Sequence, residues 1–279
     1  MKFEKHIEIE NAESSAVDIL AAATNLSKQA VKQAMKSGAV WLTRNQGTQR
    51  IRRADKVLRA DDSLHLYYDD AVLGSEVNDA ILVADETHYS IWYKPYGMLS
   101  QGSKWGDHCT INRWVEKNLQ PQRPAFIVHR LDRAATGLMI IAHQKKIASY
   151  FSERFQQRQI EKQYQAIVQG RFSDEITVTT PINDKPAVSH IKPLDYDAKE
   201  DQSLVAVSIE TGRKHQIRLH LSGLGFPIVG DRLYGDGKHS DTVNLCLTSC
   251  YLSFLAPEDN QKKIYTLPEA YHLNFNSIH

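Results

Sequence analysis

The chain has 279 residues, 42% of them hydrophobic and 24% charged, and a formal net charge of +1. Those proportions belong to a globular protein long enough for one large domain and a small one, which excludes a low-complexity or disordered chain. No apolar run approaches the roughly 20 residues of a membrane helix, and MKFEKHIEIENAE has no signal-peptide core, so a cytoplasmic protein without membrane attachment is expected.

Val17, Ile19, Leu20 and Ala23 form an apolar stretch of helical length. Ser27 stands where a helix N-cap would, before KQAVKQAMKSG, whose Ala30, Val31, Ala34 and Met35 fall on one helical face. Gly38 stops that helix. AVWLT then reads as a strand, followed by a polar basic loop and by SLHLYY with strand alternation. Between Thr24 and Ala60 the chain carries Lys28, Lys32, Lys36, Arg44, Arg50, Arg52, Arg53, Lys56 and Arg59 against the lone acid Asp55. Lys28, Lys32 and Lys36 recur every four positions on one helical face, which can share a surface with the Arg50, Arg52, Arg53 loop. On charge alone, such a field suits an RNA-docking module and a solvated surface equally.

The run LSKQAVKQAMKSGAVWL, with its basic loop and the closing strand Leu64 to Tyr68, resembles the small RNA-binding domain first recognised in ribosomal protein S-four. The likeness covers about the first quarter of the chain. It implies an αα-ββ RNA-binding domain over residues 1–70, with Lys28, Lys32, Lys36, Arg52 and Arg53 as RNA contacts. An unrelated αα-hairpin with basic decoration is the alternative. The acidic, glycine-containing DDAVLGSEVND marks a linker, taken as residues 71–80.

In residues 81–279, strand-like ILVAD and YSIWYK precede a helix around INRWVEKNL, a strand at FIV, a loop, and a strand at GLMIIA. A helix from Lys145 to Gln157 follows, then QYQAIVQG, a strand pair around SHIKPLDY and LVAVSIE, and a short helix near His215. Helices and strands alternate without a regular βαβ period. That pattern predicts an α+β domain, a mixed and largely antiparallel sheet flanked by helices. Cys109, Cys246 and Cys250 are an odd count, which argues against a disulfide framework. No second pair or suitably spaced histidines accompany Cys246 and Cys250, so half-buried or buried free thiols are expected and no metal.

The segment IVHRLDRAATGLMIIA encloses His129, Arg130, Asp132 and Arg133 between two strand-like apolar runs. Flanking guanidiniums favour an ionised aspartate and lower its pKa, which suits a nucleophile or an electrostatic stabiliser. The same spacing also fits an aspartate that ties down its own loop by ion pairing. HRLDR followed by small residues and Gly-Leu closely resembles the signature of the RluA-type RNA pseudouridine synthases, whose aspartate is catalytic. That resemblance identifies Asp132. Ala135 departs from the family's usual serine and removes a hydroxyl near the loop.

Further family segments follow in order: Tyr93-Lys94-Pro95-Tyr96-Gly97, then Glu161-Lys162-Gln163-Tyr164, then Thr211 to His220, then Pro227-Ile228-Val229-Gly230-Asp231 with Leu233-Tyr234-Gly235. The likeness runs from about Ile81 to Phe254. It implies a structural role for the Lys-Pro turn. Tyr164 would lie against the target base as a candidate proton acceptor, and Arg218 would pair with Asp132. Arg130 would fill the space left by a flipped uridine, with His129 and Arg133 as further RNA contacts. Without the likeness, Tyr164 reads equally as a half-buried strand tyrosine and Arg218 as a side chain snorkelling along its helix. His215 and His220 show no shared face and no evident carboxylate partner.

The implied reaction isomerises uridine to pseudouridine in structured RNA and needs no cofactor or metal. Large-subunit ribosomal RNA is the expected substrate and transfer RNA the alternative. No obligate protein partner is expected, and the protein is taken as a monomer. The rival readings are a non-catalytic RNA-binding chaperone derived from a synthase, and a hydrolase using His215 or His220. The hydrolase lacks a nucleophile motif.

Overall fold

In the computed structural model, which describes residues 1–10, 14–235, 237 and 243–278, the first two helices begin where serines can cap them. Ser15 Oγ accepts from the Asp18 N–H at 3.2 Å to open α1 (Ala16–Thr24), and Ser27 Oγ accepts from the Ala30 N–H at 3.1 Å to open α2 (Lys28–Lys36). Strand β1 (Lys2–Glu8) precedes them, and β2 (Val40–Arg44), β3 (Gly47–Arg50) and β4 (Ser63–Asp69) follow in the antiparallel order β1-β4-β2-β3. Val17, Leu20, Val31, Met35, Leu42 and Leu66 form the core between helices and sheet.

The expected αα-ββ plan therefore lacked two strands. In β1 only Phe3 and Ile7 turn partly inward, four residues apart as in a helix, and GTQR in β3 offers no apolar residue at all. Both are edge strands: β3 is held by backbone pairing, and β1 adds only Phe3 and Ile7 against the core.

The chain forms two compact units, Met1–Val77 with Gln101–Trp114, and Asn78–Ser100 with Val115–His279. The 101–114 segment, assigned from sequence to the second domain, sits in the first unit. There Asp107 lies 2.5 Å from Arg52 Nη2 and 3.3 Å from Arg50 Nη1, and the Trp41 indole donates to the Lys104 carbonyl at 3.0 Å. The stretch after β4 opens with one short helical turn, α3 (Asp70–Leu73).

The second unit carries β5 (Ile81–Asp85), β6 (Tyr89–Lys94), β7 (Phe126–Ile127), β8 (Thr136–Ala142), β9 (Glu161–Gln169), β10 (Ile176–Val178), β11 (Ser189–Asp197), β12 (Gln202–Ile209), β13 (Leu247–Leu255) and β14 (Lys262–Thr266). Helix α4 (Ile111–Asn118) precedes β7, α5 (Lys145–Gln156) follows β8, and α6 (Gln216–Gly223) follows β12. The sheet runs β10-β11-β12-β9-β13-β8-β6-β5, with β14 on β13 and β7 on β8. Its described pairings are antiparallel except β13 with β8, where Thr248 and Ser249 face Thr136 and Gly137. The mixed, largely antiparallel sheet flanked by helices is the expected architecture. Strand β13 joins the two halves of this sheet, and the sequence reading did not assign it.

Ile91, Leu138, Ile140, Phe151, Leu252 and Phe254 pack on one face of the sheet, and α5 lies over β7 and β8. Cys109 and Cys246 are buried and Cys250 is half-buried. Among the described residues, no helix is long and apolar enough to cross a membrane.

Candidate active site

The loop between β7 and β8 holds Asp132, and both of its neighbours are pinned. Leu131 N–H donates to Ser100 Oγ at 3.0 Å, and that hydroxyl donates back to the Leu131 carbonyl at 2.7 Å. The Arg133 carbonyl accepts from the Gly97 N–H at 2.9 Å and from Lys94 Nζ at 3.4 Å. Lys94 is fully buried and also donates to the Pro95 and Met98 carbonyls at 3.0 and 2.9 Å. Burial pulls its pKa down to about 7, with the charge of Asp132 working the other way. The Lys-Pro turn thus serves as a clamp under the loop. Ala135 is buried, and its N–H donates to the Asp132 carbonyl at 3.2 Å, so the loop closes through backbone despite the missing hydroxyl.

The Asp132 side chain is 26% exposed. It faces Arg218 Nη1 at 3.5 Å and His215 Nε2 at 3.7 Å, both brought by the start of α6. Arg130 and Arg133, expected to flank the carboxylate, do not. Both are exposed, and Arg133 Nε donates to the Gly97 carbonyl at 3.3 Å. Consecutive residues of a loop project in different directions, so sequence adjacency did not become proximity.

Arg218 was expected to pair with Asp132, but its principal partner is Asp231. Nε and Nη2 donate to the two Asp231 oxygens at 2.7 and 2.5 Å, and both side chains are buried. Asp231 Oδ1 also accepts from the Leu233 and Tyr234 N–H groups at 2.9 and 3.1 Å. Burial works against both charges. It is outweighed at each: the Asp231 contact leaves the Arg218 pKa above its ordinary value, and the Arg218 and backbone donors hold Asp231 below its own. A guanidinium fixed in this way presents its remaining edge to Asp132.

His215 sits in the left-handed region (φ 57, ψ 24) just ahead of α6, and its Nδ1 lies 2.9 Å from the Tyr234 hydroxyl. Burial lowers its pKa, partly offset by Asp132. The sequence offered no carboxylate partner for His215; the structure supplies Asp132. His220 is buried between Ser189 Oγ and the Thr180 carbonyl at 2.9 and 3.0 Å.

Tyr164 lies on β9, opposite Val207 on one side and Ser249 on the other. It is 8% exposed; burial raises its pKa, and the Asp132 charge adds to that. The phenol therefore keeps its proton. His129, expected to touch RNA, is turned inward. Its Nε2 accepts from the Ile140 N–H at 2.9 Å and its ring stacks on Phe155 at 4.6 Å. Burial, helped by the charge of Lys162, drives its pKa to about 3, so it is neutral and offers no cation to phosphate.

On the first unit, Lys32, Lys36 and Arg53 are exposed, while Lys28 is exposed but pairs with Asp18 at 2.6 Å. Arg52 was expected on the same RNA-facing surface. Its guanidinium is instead bound to Asp107 and to the Lys36 carbonyl at 3.3 Å, which makes it a structural tie. Among the described residues, no three His, Cys, Asp or Glu side chains are grouped so as to hold a metal ion.

A family model described as RNA pseudouridylate synthase matches residues 88–223, which contain the Asp132 loop, Tyr164 and Arg218. An uncharacterised RNA pseudouridine synthase of Chloroflexus aurantiacus is 37% identical over 157 residues, covering 51% of this chain and 49% of that protein. The transfer RNA pseudouridine synthase C of Vibrio parahaemolyticus is 31% identical over 217 residues, 66% of this chain and 87% of the relative. The ribosomal large subunit pseudouridine synthase D of Nitrosomonas europaea is 31% identical over 173 residues, 55% and 49% of the two chains. Among solved structures, human RNA pseudouridylate synthase domain containing 1 shares the fold. Its TM-score is 0.60 at 22% identity, with 71% of this chain and 86% of that chain covered. The chain belongs to the RNA pseudouridylate synthase family. It spans about half the length of some of the relatives it matches.

Proposed function

We propose that this protein converts uridine to pseudouridine in structured RNA, with Asp132 as the catalytic carboxylate. The observation that carries this reading is a partly exposed carboxylate on a pinned loop, faced by an arginine that is itself immobilised by Asp231. Such preorganisation lets the site meet developing charge without rearranging.

The target base leaves its stack at a cost of a few kcal/mol. Exposed Arg130 fills the vacated space and contacts phosphate. Uracil lies on the Tyr164 ring, an interaction of about 1–3 kcal/mol. Asp132 assists cleavage of the bond between the sugar and the ring nitrogen. The base turns, its carbon five bonds to the sugar, a general base takes the proton from that carbon, and the ring nitrogen released from the sugar gains one, so no atoms are gained or lost overall. Because the phenol holds its proton, Tyr164 fits stacking better than proton abstraction, and the Asp132 carboxylate is available as acceptor.

The first unit serves as an S-four-like RNA-binding domain that docks through Lys32, Lys36 and Arg53. That combination, with the likeness to a ribosomal large subunit synthase, favours large-subunit ribosomal RNA. The fuller coverage of the transfer RNA relative supports the second reading. Incubating wild type and Asp132→Asn with transcripts of both RNAs and mapping pseudouridine tests the activity and chooses the substrate. Wild type should modify a discrete uridine, and the variant should bind RNA and modify none. Turnover by Asp132→Asn would remove the carboxylate from the mechanism.

A further inference from the structure

Among the described residues, Lys162 is a cation without a counter-charge. It lies on β9 two residues before Tyr164, so the two side chains leave the same face of the strand. Its ammonium is 5.6 Å from the centre of the Phe155 ring, and a Cβ on Gly212 would stand 4.0 Å from it, in the loop leading to His215. The residue is half-buried. Burial holds its pKa below the ordinary lysine value, and no carboxylate offsets the effect. Among the described residues it makes no ion pair and no hydrogen bond. The neighbouring acids are engaged elsewhere: Glu161 with Lys262 at 3.5 Å, and Glu210 with His190 at 2.9 Å.

Lys162 lines an open cleft of about 390 Å³, together with Arg158, Gln163, His190 and Glu210. Arg158, in the left-handed region at φ 59, is exposed. A partly desolvated charge left unpaired destabilises the fold that carries it. An anion delivered from outside relieves that penalty, and the charge-assisted hydrogen bond it forms is correspondingly strong.

We propose that Lys162, with Arg158 at the rim of the cleft, binds a phosphodiester of a nucleotide flanking the flipped uridine. The inference rests on the synthase activity proposed above and gives it a second anchoring point. A base lying on Tyr164 brings its own backbone along the same face of β9, where Lys162 is the next residue outward. The competing role is structural, a cation held over the Phe155 ring to support the packing there.

Stability and binding separate the two roles. Full-length Lys162→Met keeps the apolar stem and removes only the charge; Lys162→Arg keeps the charge; Arg158→Met tests the rim on an exposed residue that does not threaten the fold. Each is compared with wild type by thermal melting and by binding to transcribed large-subunit ribosomal RNA over a salt series. Lys162→Met should melt at or above wild type, bind about tenfold more weakly at roughly 0.1 M salt, and lose about one unit of slope in log K against log salt. Lys162→Arg should restore affinity and slope, and Arg158→Met should lower both. Unchanged affinity and slope in Lys162→Met overturns the proposal, as does a lowered melting temperature with the slope intact. Pseudouridine mapping on wild type runs alongside. If it finds none, the activity reading falls, while the salt slope still decides the cleft.

Discussion

Replacing Asp231 with asparagine tests the support of the site without touching the carboxylate that faces solvent. In the folded protein the Arg218 guanidinium is 5% exposed and the Asp231 carboxylate 1%, joined by two hydrogen bonds of 2.7 and 2.5 Å. The asparagine oxygen can still accept from the Leu233 and Tyr234 N–H groups, so the turn survives and the loss falls on the ion pair. What remains is a buried guanidinium whose other carboxylate, Asp132, is 3.5 Å away. Removing one member of a buried pair destabilises by about 3–5 kcal/mol. At roughly 2–4 °C per kcal/mol for a domain of this size, the melting midpoint should drop by on the order of 10 °C. Turnover should fall with it, because Arg218 is no longer fixed against Asp132. The pH dependence has a definite sign. Burial opposes the Asp231 charge but Arg218 and the two N–H donors outweigh it, so the folded pKa lies below the unfolded one. The pair's stabilisation is therefore complete above the unfolded pKa and disappears as pH falls through the folded pKa. Calorimetric melts of wild type and Asp231→Asn should differ fully at neutral pH and converge on acidification below the usual carboxylate range. An unchanged midpoint at pH 7, or a gap that ignores pH, refutes the assignment of Asp231 as the partner that fixes Arg218.

Gly137→Ala should fold poorly, since a Cβ there would run into the backbone of Ser249, at a φ of 108 that side chains rarely adopt; soluble yield and melting temperature report it. Combined Lys32→Glu and Arg53→Glu should weaken RNA binding and flatten its salt dependence by about one unit per lost contact. Arg52→Met, by contrast, should lower stability, because the Asp107 side chain is 9% exposed and, among the described residues, would keep Arg50 at 3.3 Å as its remaining cation. Lys94 has a folded pKa of about 7, below the unfolded lysine value, so the unfolded chain binds more protons between the two. Its contribution to stability should rise with pH across that window, and Lys94→Met should abolish that part of the slope in pH-dependent denaturant melts.

Features carried by local signals were legible in the sequence. Ser27, the apolar face of Ala30 to Met35 and Gly38 mark a helix start, its buried side and its stop within a dozen residues, and α2 occupies that span. GLMIIA is a continuous apolar run and became β8, buried along nearly its whole length. Strand β13 gave no such signal because Thr248, Ser249 and Ser253, rather than aliphatic residues, fill much of its buried surface. At the site, the Asp132 loop was legible through its motif, but its surroundings depend on distant segments. Asp231 was noted as part of a motif without a role, since nothing in a sequence announces which carboxylate will meet Arg218 in a bidentate pair. His129 stands among the RNA contacts only through the likeness of its motif; the ring is turned inward onto Phe155 while Arg130 is exposed.

The position of β13 also bears on how the chain is made. It lies between β8 and β9, yet the ribosome adds it more than 75 residues after β9 has been synthesised. Until then the nascent chain carries a long edge on β9 and a short one on β8 with unpaired amides and carbonyls, the kind of surface that recruits other strands. A polypeptide interrupted before Leu247 should therefore aggregate rather than persist as a partly folded enzyme.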